Sequence, residues 1–491
     1  MYNDPGDIHV LRLAPARHAT ARHRAAVGTS LAEHHLSSGR FYAGARQMNS
    51  NVSLISEATA VADSDNRLFR KLTVRIIPIL WLVYFFNYLD RTNVAYAHLR
   101  MKDDLGFSDA VFGLGASLIF FGLIAFEIPS NIILARIGLR KTLIRIMILW
   151  GLCSAAMSLV STPMEFYILR FLIGTFEAGL VPGVLYYLTL WYPSQRRGQP
   201  SAMFYTAPSC AGIVSGPIAG LFMTYLNGVG NFQGWQWLFI AEGLPCLVLA
   251  FVAYKILSDS PDKAKWLTSE ECQRVQQLIR DDNAAHQTLG RQELLSVLRD
   301  PRLWVLGAVG FLMLISLFGL TFWQPSLLKG MGLPVLQIGI YSAFPSICGV
   351  VASVIVARHS DATDERCWHY IICALVAATG LLLTTLFPTN TLLTLLSLCV
   401  TWTGLTSAYA MLWTLPGRVF SGRVAATGLA IITVIHGSAG IVGPYGLALL
   451  KTATGGFTIS LYTGSALLIA SVLLFYPFFS HRSAHQLKQA R

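Results

Sequence analysis

Two charged residues stand side by side inside an apolar run: Asp90 and Arg91, in Trp81-Leu-Val-Tyr-Phe-Phe-Asn-Tyr-Leu-Asp-Arg-Thr-Asn-Val-Ala95. At bilayer depth a charge costs about 2.5–3.5 kcal/mol by insertion scales, so such residues are partnered or wetted and are generally employed. Burial and a neighbouring arginine act on a carboxyl's proton in opposite senses, which makes Asp90 the first choice for a site that loads and releases protons. Arg91 presents a planar guanidinium fork suited to a two-oxygen anion such as a carboxylate. Consecutive helical residues point about 100° apart, so one of the pair can meet a neighbouring helix while the other faces a cavity. The alternative is a fixed Asp-Arg pairing that only holds the helix.

A second constellation lies further along, where Arg170 and Glu177 are seven residues apart in another apolar run. That spacing places them on one helix face, two turns or about 10 Å apart, too far for a direct bridge but suited to a relay. Glu127 and Glu242 are further acids in apolar runs. A gate is plausible in which these acids pair with loop arginines in one conformation: Arg136 and Arg140 follow Glu127, and Asp361 stands in the matching loop of the second half. Tyr88, Tyr205, Trp323, Gln324, Trp413 and His436 are candidates for lining a substrate cavity. His436 has the further property that an imidazole titrates near neutral pH. The alternative for each aromatic is an interfacial or lipid-facing position.

The elements that carry these residues follow from composition. The chain has 491 residues, 54% hydrophobic and 13% charged, with mean hydropathy +0.53. Soluble chains carry about 25% charged residues, so the expectation is a polytopic all-α membrane protein. The net charge of +12 lies in short clusters between apolar runs, as membrane orientation requires, and not in a patch for nucleic acid. Runs of the length a spanning helix needs occur at 74–97, 111–134, 142–160, 164–190, 200–226 and 235–257, and again at 302–328, 336–357, 369–387, 391–415, 421–449 and 456–479. The twelve fall into two six-helix bundles, 71–257 and 302–480, joined by a polar linker, 258–301. The linker mixes charge signs and reads as amphipathic surface helices or, by preference, as a solvated connector. Residues 1–70 read as a disordered tail, with Met48 an alternative start, and 481–491 as a second tail.

Basic residues put Arg136, Arg140, Lys141, Arg196, Arg197, Arg358, Arg366, Arg418, Arg423 and the linker on one side, and Arg100, Lys102, Lys329 and Lys451 on the other. Under the positive-inside rule, the linker and both termini are cytoplasmic, and the short loops suggest a bacterial inner membrane and a functional monomer. The loop Ala135-Arg-Ile-Gly-Leu-Arg-Lys141 is echoed by Ala357-Arg-His-Ser-Asp-Ala-Thr-Asp-Glu-Arg366. Such an echo is expected of a transporter built from repeats that rock about a central site. The eight cysteines show no metal-ligand spacing, and no phosphate-binding loop or Ser-His-Asp array is present, so neither an ATP-driven pump nor an enzyme is expected.

Several motifs in order resemble the major facilitator superfamily, and within it the anion:cation symporter family. They are Asn87-Tyr-Leu-Asp-Arg-Thr-Asn93, Phe126-Glu-Ile-Pro-Ser-Asn131, Gly174-Thr-Phe-Glu-Ala-Gly-Leu-Val-Pro-Gly183, Trp191-Tyr-Pro193, Trp235-Gln-Trp-Leu-Phe-Ile-Ala-Glu-Gly-Leu-Pro245, Gly319-Leu-Thr-Phe-Trp-Gln-Pro325 and Arg358-His-Ser-Asp361. The resemblance implies twelve helices in two pseudo-symmetric bundles and uptake of organic anions such as tartrate, sugar acids, phthalate, hydroxyphenylacetate or allantoate, usually with protons. It supports Asp90 as a proton site and implies Glu177 as a second one, with Arg170 answering its charge. No cofactor is implied beyond the proton as coupling ion; the partners are the bilayer and a small organic anion. The eleventh run departs from the pattern, with Thr433 and His436-Gly437 where the family tends to carry Asn and Gly-Asn, and Arg418 is unusual for it. Gly212-Ile-Val-Ser-Gly-Pro-Ile-Ala-Gly220 also resembles the Gly-Pro signature of proton-coupled drug antiporters, although Leu221 follows it in place of a Gly. An efflux antiporter is therefore the rival reading, and a transporter-like sensor that binds without moving its ligand is a second.

Overall fold

A computed structural model describes residues 40–284, 297–420 and 422–479. The expectations for residues 1–39, the end of the linker and the C-terminal tail lie outside the described residues. The chain divides into two units, 1–67 and 68–491. Residues 40–70, expected within a disordered tail, are helical and belong to the helix Arg40–Leu105. The stretch from Ser50 to Arg70 contains neither Pro nor Gly, so nothing in it breaks a helix that is already nucleated.

Among the described residues, twelve helices are long and apolar enough to cross a membrane. In chain order the first lies in Arg40–Leu105, followed by Asp109–Ile137 and by Leu139–Ala156, which a short 3₁₀ turn extends. The fourth span has two pieces, Pro163–Glu177 and Leu180–Trp191, as does the fifth, Ser194–Tyr205 and Ala207–Tyr225; Gly234–Ile256 is the sixth. The second half contains Pro301–Lys329, Val335–Thr363, Cys367–Leu386, Thr391–Thr414, Gly422–Thr454 and Thr458–Phe479 as the seventh to twelfth spans. The eighth continues past its expected end at 357, so Asp361 lies on a helix and not in a loop; the turn comes at Asp364, whose φ is +50°.

The packing repeats from half to half. The third span packs on the sixth and the second on the fourth; correspondingly the ninth packs on the twelfth and the eighth on the tenth. Between the halves the second span meets the eleventh and the fifth meets the eighth. These pairings exchange under the same six-span shift, so the bundles are related by an internal two-fold. Large apolar side chains such as Ile128 (73% exposed), Val248 (66%) and Leu473 (68%) point away from the protein. On helices of this length that is a lipid-facing surface.

Without a hydrophobic force between helices in lipid, close approach depends on small residues. A Cβ on Gly174 would stand 1.9 Å from the Ile119 carbonyl oxygen, and one on Gly216 2.5 Å from that of Gly339 at the seam between halves. The obstructing atoms are backbone and cannot swing aside. Gly174→Ala is therefore expected to destabilise the N-terminal half by about 1–3 kcal/mol, the usual cost of overpacking, read as a lower thermal midpoint in detergent.

The linker is not a free connector over its described part. Trp266 stacks on Trp191 with centroids 5.7 Å apart, Arg75 lies 5.0 Å from the Trp266 ring, and Tyr187 donates to the Ser258 carbonyl at 2.7 Å. The linker helix Ser269–Ala284 is held by Glu271 to Lys71 (2.6 Å) and by Asp282 to Arg197 (3.7 Å). Partial burial raises the Glu271 carboxyl, but hydrogen bonds from Lys71 and Thr268 outweigh it and leave the group below its ordinary range. The contribution of this contact is thus present above the ordinary carboxyl range and is lost as pH falls.

Candidate functional site

Asp90 is 1% exposed and turns toward the third span, where it accepts from the Trp150 indole at 3.1 Å and from the Ser154 hydroxyl. Arg91 points elsewhere. Its Nε and Nη2 donate to one oxygen of Glu177, Oε2, at 2.9 and 2.8 Å. The arginine side chain keeps 21% of its surface exposed while that of Glu177 keeps none, so the ion pair presents its cationic edge and buries its anionic one.

The fourth span breaks directly after Glu177. Gly179 adopts φ +84°, a left-handed conformation that favours glycine. Pro182 has no N–H to return to the Ala178 carbonyl. Glu177 is consequently the last residue of its helical piece, held at a kink. Arg170, two turns earlier, is fully buried; its Nε lies 3.4 Å from the Gly115 carbonyl and neither Nη atom has a hydrogen-bond partner. It lies within electrostatic reach of both Asp90 and Glu177 but bridges neither. Arg170 makes no direct bridge to Glu177, seven residues along the same helix; the residue in contact with Glu177 is Arg91, on the first span alongside.

Glu242, 3% exposed, accepts from the Asn93 amide, and its other oxygen has no partner. Its pairing with a loop arginine, expected of a gate, is absent here; the side chain is enclosed beside the first span. Tyr84 and Tyr88 lie within electrostatic reach of Arg91, and Tyr205 and Tyr409, the last from the opposite half, lie near Tyr84. Tyr84 meets Tyr205 edge-on at 6.4 Å, and Tyr409 meets Trp413 edge-on at 5.9 Å. Of the expected cavity residues, Tyr88 and Tyr205 thus lie beside Tyr84, and Trp413, in the opposite half, packs on Tyr409. Gln324 is buried and its Oε1 accepts from the Trp402 indole at 2.5 Å. His436 is also buried: its Nε2 lies 3.2 Å from the Leu306 carbonyl and the ring fills the notch over Gly310, 5.6 Å from Trp413. Through these contacts the two residues tie helices of the second half together. Trp323 lies deeper, donating to the Pro444 carbonyl at 2.9 Å.

The expected gating charges each stay within their own half. Glu127 is half-buried and forms no ion pair with Arg136, which is exposed. Arg140 stacks its guanidinium over Tyr254 at 4.0 Å, and Asp361 pairs with Arg366. Sequence reasoning missed Trp150, Ser154 and Asn93 as partners of the acids, and Tyr84 and Tyr409 as neighbours of Tyr88 and Tyr205; the first three carry no signal before the helices are packed. It also read Asp103, Asp109, Lys329 and Lys451 as orientation marks or not at all, whereas they join the two halves.

The comparisons agree with this architecture. The family model for the Major Facilitator Superfamily matches residues 80–444. A protein of Agrobacterium vitis provisionally named a tartrate transporter is 40% identical, over 84% of this chain and 91% of its own. A quinolone resistance transporter of Acinetobacter baumannii is 38% identical, over 84% of this chain and 95% of its own. Among solved structures, a bacterial homolog of the human lysosomal transporter Spinster, described as inward-facing and unoccupied, superposes with a TM-score of 0.66 at 16% identity, covering 82% of this chain and 94% of that one. Twelve spans in two related halves, a buried charge network on the first and fourth of them, and these matches identify the chain as a multi-pass secondary transporter, not an enzyme, and a member of the Major Facilitator Superfamily.

Proposed function

We propose that the protein is a proton-coupled symporter that takes up a small organic anion, a mono- or dicarboxylate, by alternating access. One observation carries the reading: the exposed edge of Arg91 is held by a carboxylate, Glu177, that is itself sealed from solvent. A proton on Glu177 releases the guanidinium fork, and a substrate carboxylate then takes the place of Glu177 on it. Proton loading and anion binding are thereby made mutually favourable, which is the requirement for symport. Asp90 is the second proton site, and Arg170, without a partner at either Nη, stabilises whichever of the two carboxylates is charged. Tyr84, Tyr88, Tyr205, Tyr409 and Trp413 enclose the anion's carbon skeleton. Co-transported protons offset the anion's charge, which otherwise costs about 2.3 kcal/mol per 100 mV against an inside-negative potential. On this reading the linker and termini are cytoplasmic, the membrane is a bacterial inner membrane, and the monomer is the working unit.

The quinolone resistance relative and the Gly-Pro run Gly212–Gly220 favour a second reading, proton-coupled efflux of a drug or metabolite. Proteoliposomes with an imposed pH gradient separate the two. Labelled tartrate is expected to accumulate in the alkaline lumen, to depend on the proton gradient and to be indifferent to sodium. Extrusion of a loaded quinolone against an acidic exterior, without tartrate accumulation, would establish efflux instead.

A further inference from the structure

The face opposite the linker carries ion pairs that cross between the halves. Asp109, the first residue of the second span, receives Lys102 at 3.0 Å from its own half and Lys451 at 2.9 Å from the eleventh span. His98 approaches the same carboxylate with Nε2 at 3.2 Å, out of line for a hydrogen bond, while its Nδ1 lies 2.9 Å from the Ser326 hydroxyl of the opposite half. Lys329 of the seventh span reaches Asp103 at 3.0 Å and the Leu99 carbonyl.

The two contacts are unequal. Asp103 and Lys329 are 65% and 39% exposed, and a pair so wetted contributes little. Asp109 and Lys451 are 12% and 17% exposed. The Lys451 ammonium also lies 4.4 Å from the Phe457 ring centroid and 5.0 Å from that of Trp323. Facing an anion and two aromatic rings away from water, this cation is costly to strand, so removing either partner of the pair has a larger effect than at a wetted surface contact. Beneath it lies a small void lined by Val94, Ala95, His98, Ala116, Phe322 and Trp323, side chains drawn from both halves. Rocking the halves to open this face must part Lys451 from Asp109 before that void can be wetted.

We propose that Asp109 and Lys451 form the latch of the outer gate, closing the face opposite the linker and holding the transporter open toward the linker. The latch acts by stabilising one of the two alternating states, so its loss shifts their populations without touching the Arg91 site. The sidedness rests on the orientation proposed above. The native Cys272, on the linker helix, reports that orientation independently, because it labels with an impermeant maleimide only from the linker side.

The test uses the full chain with Ala116→Cys as reporter; Ala116 is 3% exposed below the latch. Labelling from the face opposite Cys272 is expected to rise about tenfold or more when Lys451→Met is added, which corresponds to about 1.4 kcal/mol in the balance of states. Lys451→Arg keeps the cation and is expected to leave labelling low. Asp109→Asn should behave as Lys451→Met does. Unchanged labelling in both neutral variants, with thermal midpoints equal to the parent, would overturn the latch. So would equal labelling in the Arg and Met variants. Should either neutral variant fail to fold, the other decides. Cys272 labelling from outside would overturn the orientation alone, with the reporter then read from the other membrane face.

Discussion

Replacing Asp90 with Asn is expected to abolish accumulation driven by a proton gradient while sparing counterflow exchange of the anion. Asp90 meets the Trp150 indole through one oxygen and the Ser154 hydroxyl through the other. The asparagine oxygen can still accept from the indole, while its amide N–H donates to the Ser154 oxygen once that hydroxyl rotates. Its shape is nearly unchanged, so helix packing survives. What is lost is the carboxyl's capacity to carry a proton between the two faces. Each proton moved down 100 mV contributes about 2.3 kcal/mol, close to a fiftyfold concentration ratio. The variant should therefore settle at a much lower gradient of substrate, while exchange at equal concentrations, which needs no net proton movement, continues. Full active uptake by Asp90→Asn would remove Asp90 from the coupling path. A loss of exchange as well would point to a role in the conformational cycle itself.

The second large effect is expected at Arg91. Arg91→Ala removes the donor that meets Glu177 at 2.8 and 2.9 Å and leaves a carboxyl with no exposed surface beside an unfilled space. Hydrogen bonds to charged groups contribute about 1.5–3 kcal/mol, so anion affinity should fall by about 10- to 150-fold. Breaking one side of a buried pair also strands its partner, at a cost that can exceed the value of the contact. The double variant Arg91→Ala/Glu177→Gln separates the two effects, since the amide carries no charge to strand. If Arg91 grips the anion, affinity stays low in the double variant. If Arg91 serves only to neutralise Glu177, the double variant recovers affinity, and the anion site lies elsewhere. Arg91→Lys is expected to bind weakly too, because a point charge cannot replace a planar fork.

Much of the fold was legible because membrane segments announce themselves: lipid requires about 20 apolar residues in succession, and a helix that satisfies its own backbone. The charged residues were legible for the complementary reason, that each stands out at a position where charge is costly. Asp90, Arg91, Arg170 and Glu177 could all be named before any helix was placed. Their pairing could not. The first span could have given Arg91 to any of several neighbours, and only its contact with the kinked fourth span gives it to Glu177. For His436 and Gln324 the contacts were equally hidden: a polar residue in a span can spend its side chain on a neighbouring carbonyl or indole, here those of Leu306 and Trp402. The linker was likewise misjudged, because its mixed charges meet partners, Lys71 and Arg197, that lie far away in sequence.

By itself the sequence determined that this is a twelve-span, two-half membrane protein with four costly charges on its first and fourth spans, since hydropathy and the expense of buried charge act locally, residue by residue. The tertiary structure alone decided which charge meets which, where the fourth span bends to hold Glu177, and that Asp109 and Lys451 close one face between the halves. Those outcomes depend on distances between helices remote in the chain, and electrostatic and hydrogen-bonding energies vary so steeply with distance and burial that no spacing along one strand of sequence can supply them.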